Sequence, residues 1–350
     1  MVYLPQVMPD GTGGAFVCWN DFKPAYRALH DDYFRLQRLD SQGKPVWEEP
    51  GKLLFASPPY HATTRSWPIW TGADMVSDGH GGAIVVWKEE TQQRYTNIEA
   101  QRYDTNGKSV WQDGGVLISS AWDASVQVTS DGNGGAIIVI GAGRQEPTDS
   151  ATYSVQRIPA EGKLLWPNAG VVIKEDLRPW GSIEVMTQGT DTIVLWQEIA
   201  GSPEIIAGRP VRQIALYAER ISADGTIMWQ RAPVFISEAG ESLDDLVMCN
   251  GGDGVLLVWR SGGREQWGWK VFAQKVNADE GKLAWREKGV TVFGEELRYQ
   301  GAPEVVSDGS GGAIILAVVG KNPLGGDIVY AQRLDANGNV LWGDGIKVSR

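Results

Sequence analysis

The sequence repeats itself six times, and that self-similarity constrains the fold more than any other feature. One anchor is DGTGGA at Asp10, which returns as DGHGGA at Asp78, DGNGGA at Asp131 and DGSGGA at Asp308. Degenerate copies stand at Gln188 (QGTDTI) and Asn250 (NGGDGV). A second anchor is LQRLD at Leu36, followed by AQRYD at Ala100, VQRIP at Val155, AERIS at Ala218, AQKVN at Ala273 and AQRLD at Ala331. The third is a tryptophan: Trp47, Trp111, Trp166, Trp229, Trp285 and Trp342. Six copies in 350 residues make the mean repeat about 58 residues long.

Spacing separates rigid from variable parts. From the first anchor to the end of its apolar run takes 9 residues in five copies and 8 in one. From the Gln or Glu of the second anchor to the tryptophan takes 10 residues in five copies and 11 in one. The spans between these blocks range from 14 to 23 residues, and the junctions between copies from 20 to 31. The rigid blocks read as β-hairpins, because β-branched runs flank Gly-, Asn- and Asp-rich turns. Each copy is therefore a four-stranded antiparallel unit, followed by a short extended piece such as GVLIS or GIKVS whose pairing the sequence leaves open. No stretch of helical length shows a 3.6-residue period, so the fold class is all-β.

Six such units either stack as a solenoid or close as a ring. The chain starts and stops at a repeat boundary and its last copy is among the most regular, which suits a ring better than a capped solenoid. The expectation is a single six-bladed β-propeller domain over residues 1–350. Its blades span 1–57, 72–119, 124–175, 182–238, 244–294 and 302–350, with a long junction at 58–71. The motif set DGxGGA…AQRxD…LW resembles the Gly/Trp-rich propeller repeats of secreted and surface bacterial proteins. It lacks the Trp-Asp signature of WD40 repeats and the kelch pattern. The resemblance implies an extracytoplasmic location, and no signal peptide opens this chain.

Composition narrows the partners. With 43 acidic and 32 basic residues the net charge is −11, which disfavours a nucleic-acid backbone as ligand. The longest apolar run, Ala313 to Val319, is too short for a membrane span. Cys18 and Cys249 read as buried free thiols, with no metal site and no cofactor expected. The DANGN stretch at Asp335 reads as a hairpin turn rather than a calcium loop, since it lacks the downstream glutamate.

In such a blade the fixed-length turns share one face, and the variable connections share the other. Function is expected on the variable face. The junction after the first blade carries Tyr60, His61, Arg65, Trp67 and Trp70, and later junctions carry Trp122, Arg178, Trp180, Arg298 and Tyr299. Connections inside blades add Tyr26, Arg27, Arg94, Tyr95, Arg144, Arg209, Arg212, Arg264, Trp267 and Trp269. Aromatic rings stack on apolar sugar faces while guanidinium groups fork onto hydroxyls, so the set suits a glycan. The alternative is that individual tryptophans fill gaps between blades. The repeated tryptophans and the second-anchor arginines (Arg38, Arg102, Arg157, Arg220, Arg333, with Lys275 in the fifth copy) are expected to be structural, the arginines through a bond to a neighbouring carbonyl.

Catalytic signals are thin. His30, His61 and His80 are the only histidines, and no nucleophile elbow, zinc-protease motif or P-loop occurs. Glu89, Glu90, Glu184, Glu198, Asp244 and Asp245 fall near the variable face, where a carboxylate pair could serve glycoside hydrolysis. Three readings follow: a non-enzymatic propeller binding a glycan or protein, an assembly module of a surface complex, and a glycan-active hydrolase or lyase.

Overall fold

The computed structural model describes residues 2–24, 30–56, 73–90, 95–122, 124–143, 151–166, 170–175, 179–206, 209–229, 233–236, 242–262, 268–286, 288–297, 299–320 and 328–349. These residues are all-β, and none of them is helical. They form six four-stranded antiparallel sheets, each built from strands in sequence order, the blade set of a six-bladed β-propeller.

The first sheet holds β1 (Val2–Pro9), β2 (Ala15–Pro24), β3 (His30–Leu39) and β4 (Lys52–Ala56). The second holds β5 (Ala73–Ser77), β6 (Ala83–Glu90), β7 (Tyr95–Tyr103) and β8 (Val116–Trp122). The third holds β9 (Ser125–Ser130), β10 (Ala136–Ala142), β11 (Thr152–Ile158) and β12 (Val171–Lys174). These three form one compact unit, Met1–Leu177. In the second unit, Arg178–Arg350, the fourth sheet holds β13 (Pro179–Gln188), β14 (Asp191–Ile206), β15 (Arg209–Ile221) and β16 (Pro233–Ile236). The fifth holds β17 (Ser242–Asn250), β18 (Gly254–Gly262), β19 (Trp269–Asn277) and β20 (Val290–Thr291). The sixth holds β21 (Tyr299–Ser307), β22 (Ala313–Gly320), β23 (Ile328–Leu334) and β24 (Ile346–Lys347).

The extended piece after each tryptophan is the fourth strand: β8, which carries GVLIS, pairs along β7 from Tyr95↔Trp122 to Ala100↔Val116. The segment before the tryptophan makes only an isolated bridge, such as Tyr103↔Ser109. A second turn separates the two, closed by Gly115 N–H donating to Gln112 O at 3.1 Å.

Sheets within each unit pack face to face through their central strands. Ile84 and Val86 meet Ile138 and Ile140 in the first unit. In the second, Leu195 and Leu216 meet Leu257 and Trp259.

The three anchors turn out to be one hydrogen-bonded framework, clearest in the second sheet. Asp78 Oδ1 accepts from His80 N at 2.8 Å and Gly82 N at 2.7 Å, closing the first turn. Its Oδ2 accepts from Arg102 Nε at 2.9 Å, tying that turn to the third strand. Gln101 Oε1 accepts from Trp111 N at 3.0 Å, while its Nε2 donates to Gln112 O at 2.8 Å. A Gln ten residues upstream thus fixes where the tryptophan sits. Trp111 Nε1 then donates to Ala160 O of the third sheet at 2.9 Å, and Arg102 Nη1 reaches the same carbonyl at 3.4 Å. The expected arginine–carbonyl bond is therefore present, beside a carboxylate bond that sequence reasoning did not foresee.

The device recurs. Thr105 O takes Trp47 Nε1 and Arg38 Nη1, and Ala278 O takes Trp229 Nε1 and Arg220 Nη1. Trp111, Trp166 and Trp229 are buried, whereas Trp47, Trp285 and Trp342 are half-buried. Gly162 completes the contact: its φ is +75°, and a Cβ there would lie 2.5 Å from Trp111 Cδ1. Gly82 is required for another reason, since a Cβ would meet Tyr103 O at 2.4 Å.

Cys18 and Cys249 are both free; Cys18 is buried as expected, but Cys249 is only half-buried. Burial pushes the Cys18 thiol up to about 12 and that of Cys249 to about 11, so both stay protonated and unreactive. The Asp335 stretch is a hairpin turn, its carboxylate accepting from Asn337 N and Asn339 N at 2.9 Å each.

Candidate functional site

In every sheet the first turn and the 3–4 connection lie at one end of the strands, and the 2–3 connection lies at the other. The repeated framework occupies the first end. The site candidates among the described residues belong to the second.

Of these, Tyr60, His61, Arg65, Trp67, Trp70, Arg178, Trp267 and Arg298 lie outside the described residues, as do Tyr26, Arg27, Arg94, Arg144 and Arg264. Trp180 falls inside β13 and Tyr299 opens β21, so both belong to strands rather than to junctions. Arg209 and Arg212 are likewise in β15, because the fourth sheet's central hairpin continues past the blade to the pair Ile206↔Arg209. Two β-branched runs, EII and PVRQI, carry that ladder.

Trp122 ends β8 and sits directly across from Tyr95, edge to face, with ring centroids 5.8 Å apart. Both rings remain partly open to solvent. Trp269 opens β19, and the Arg260 guanidinium lies over its ring, 4.3 Å from the centroid. Arg260 Nη2 also pairs with Asp245 Oδ2 at 2.7 Å. Asp245 has φ +52°, the only non-glycine residue with positive φ among those described. It stands where the β17–β18 register slips between Asp244 and Val247, a bulge that turns its side chain out of the strand's alternation. Asp244 pairs across from Arg260; burial raises its carboxyl above the ordinary range, Arg260 opposes that, and Asp245 adds to it.

Arg260 escaped sequence reasoning. A usable signal existed, because the residue after the strand-2 tryptophan position is Asn20, Lys88, Gly141, Gln197 and Val318 in the other copies.

The remaining carboxylates divide. Glu198 is buried and accepts from Trp196 Nε1 at 2.6 Å, so it serves the stacked Trp196–Tyr217 pair, whose centroids are 5.6 Å apart. In the second sheet, burial raises the Glu99 carboxyl, nearby Glu89 raises it further, and a bond from Trp87 works against both. Among the described residues no group of three or more His, Cys, Asp and Glu is placed to hold a metal, and no helix is long and apolar enough to cross a membrane.

No family model matches the sequence, and no curated protein matches it. Solved structures do match in fold. The polysaccharide lyase Uly1 is 12% identical with a TM-score of 0.53, over 95% of this chain and 77% of that one. An oligogalacturonate lyase in complex with manganese is 11% identical with a TM-score of 0.42, over 98% and 85%. An endo-arabinase from Bacteroides thetaiotaomicron is 10% identical with a TM-score of 0.36, over 93% and 92%. At these identities the likeness shows the fold alone.

Proposed function

We propose that this chain is a non-enzymatic, extracytoplasmic, single-domain β-propeller that binds a glycan or protein ligand through its variable-loop face. One observation carries the reading: the two ends of each sheet use their polar and aromatic side chains differently. At the turn end, Asp, Arg, Gln and Trp recur and engage one another and the neighbouring backbone. At the opposite end the described aromatics and cations differ from copy to copy, with Arg260 on Trp269 in the fifth sheet and Trp122 on Tyr95 in the second. Non-repeated aromatics on a repeated scaffold are the pattern of a recognition surface. The 31-residue span from Trp47 to Asp78, with Tyr60, His61, Arg65, Trp67 and Trp70, would form the largest part of it. The extracytoplasmic location is supported by the acidic composition and by the resemblance to secreted and surface repeats.

A glycan array probed with the purified chain, followed by incubation of every hit with catalytic amounts of protein, tests the reading. Specific binding without turnover supports it. Silence on the array and against surface-protein fractions favours an assembly module, and turnover of a bound glycan makes the protein an enzyme.

A further inference from the structure

The end of the fifth sheet that carries Arg260 is selective in its chemistry, and the selectivity can be read from charge and geometry. Four side chains converge there: Asp244 and Asp245 from β17, Arg260 from β18 and Trp269 from β19. The guanidinium is fixed on two sides, by the Trp269 ring at 4.3 Å and by the Asp245 carboxylate at 2.7 Å. Its Nε is buried and has no hydrogen-bond partner among the described residues. Asp245 is held at φ +52° on a bulge, a conformation that costs strain and that places its carboxylate on Arg260.

We infer that Asp244, Asp245, Arg260 and Trp269 form a subsite for a neutral sugar ring, with a vicinal diol donating to the carboxylates and accepting from the guanidinium. The inference rests on the ligand-binding reading of the variable face. A cationic group is disfavoured because the Trp269 face already carries Arg260. A uronate or sulfated sugar is disfavoured because two carboxylates flank the single cation, Asp245 already neutralises it, and the whole chain bears −11. A hydroxyl is both donor and acceptor, so a neutral diol matches the mixed set without burying an unpaired charge. Trp269 is only half-buried, and the part of the indole that Arg260 leaves uncovered supplies the flat apolar surface that the carbon face of a sugar needs.

The test titrates the full chain with xylohexaose, mannohexaose, cellohexaose and arabinohexaose, and with hexagalacturonate at matched ionic strength, by calorimetry and ligand-observed NMR. Arg260→Gln and Trp269→Ala are compared with wild type, and melting curves check that each variant folds. Should Arg260→Gln fail to fold, Arg260→Lys keeps the charge and loses the planar fork. The expected result is binding of at least one neutral hexasaccharide, weakened tenfold or more by either substitution, with hexagalacturonate at least tenfold weaker. Hexagalacturonate binding as tightly as the best neutral sugar overturns the inference. So does neutral binding that ignores both substitutions, and if Trp67→Ala still abolishes that binding, the broader reading survives. No binding to any glycan or protein overturns both.

Discussion

The turn end of the second sheet and the opposite end of the fifth are built from similar residues to different ends. Around Trp111 the contacts follow the repeat: Gln101 Oε1 accepts from its backbone N–H, Ala160 O accepts from its indole, and Gly162 lies flat beneath its ring. Around Trp269 the partners are particular to one sheet, one donor of Arg260 is unpaired, and a strained aspartate holds the arrangement. A residue that recurs in each copy answers to what copies share, namely packing on the next sheet. A residue that appears once answers to something outside that framework.

The comparison breaks first at Trp111. Trp111→Ala removes a buried indole and its bond to Ala160 O, and the expected loss is about 3–5 kcal/mol. Melting should fall on the order of 10 °C. A fall of a degree or two would mean that the turn end is not the framework.

Gly162→Ala tests the same contact from the facing sheet. With φ at +75° and the indole 2.5 Å from a new Cβ, a cost of about 1–3 kcal/mol is expected in chemical denaturation. An unchanged midpoint would show that the ring moves aside freely.

Acid sharpens the comparison further. Burial would raise the Asp10 carboxyl, but the bonds from Thr12, Arg38 and Gly14 outweigh it and hold it well below the ordinary range. Asp308 is lowered in the same way by Ser310, Arg333 and Gly312, against the opposing effect of burial. A folded-state value below the unfolded one stabilises above about pH 4, and that stability is lost as pH falls through the folded value. Melting temperature should therefore drop by several degrees between pH 5 and about pH 2–3, and Asp10→Asn with Asp308→Asn should flatten that limb. An acid limb unchanged in the double variant would contradict the assignment.

The smallest structural effect belongs to Trp122. Its ring meets Tyr95 at an open edge, so Trp122→Ala should cost less than about 1 kcal/mol of stability. A loss as large as that of Trp111→Ala would erase the distinction between the two ends.

How much of this was legible in the sequence follows the same division. The turns could be read because side chain-to-backbone bonds demand fixed spacing: Asp78 to Gly82 is four residues, and Gln101 to Trp111 is ten. The fourth strands were harder to place, since the turn from Gln112 to Gly115 is short and hides behind the tryptophan. The long β14–β15 hairpin was read as a loop because no other described hairpin runs as far past the strand-2 tryptophan position. The first-strand register slip recurs between Tyr3 and Gln6 and between Gln300 and Pro303, but the positive φ of Asp245 is particular to the fifth sheet among the described residues, and Arg260 shows only as the arginine at a position that varies between copies. Trp180 and Tyr299 were placed in junctions because repeat spacing locates the anchors but not the strand ends.

The most direct test of the central claim lies in the 31-residue span after Trp47. Trp67→Ala and Trp70→Ala are to be measured together for melting temperature and for affinity toward the best array ligand. The account predicts affinity reduced tenfold or more with melting within a degree or two of wild type. Melting lowered by several degrees, with affinity unchanged, would show instead that these tryptophans belong to the framework and that recognition lies elsewhere.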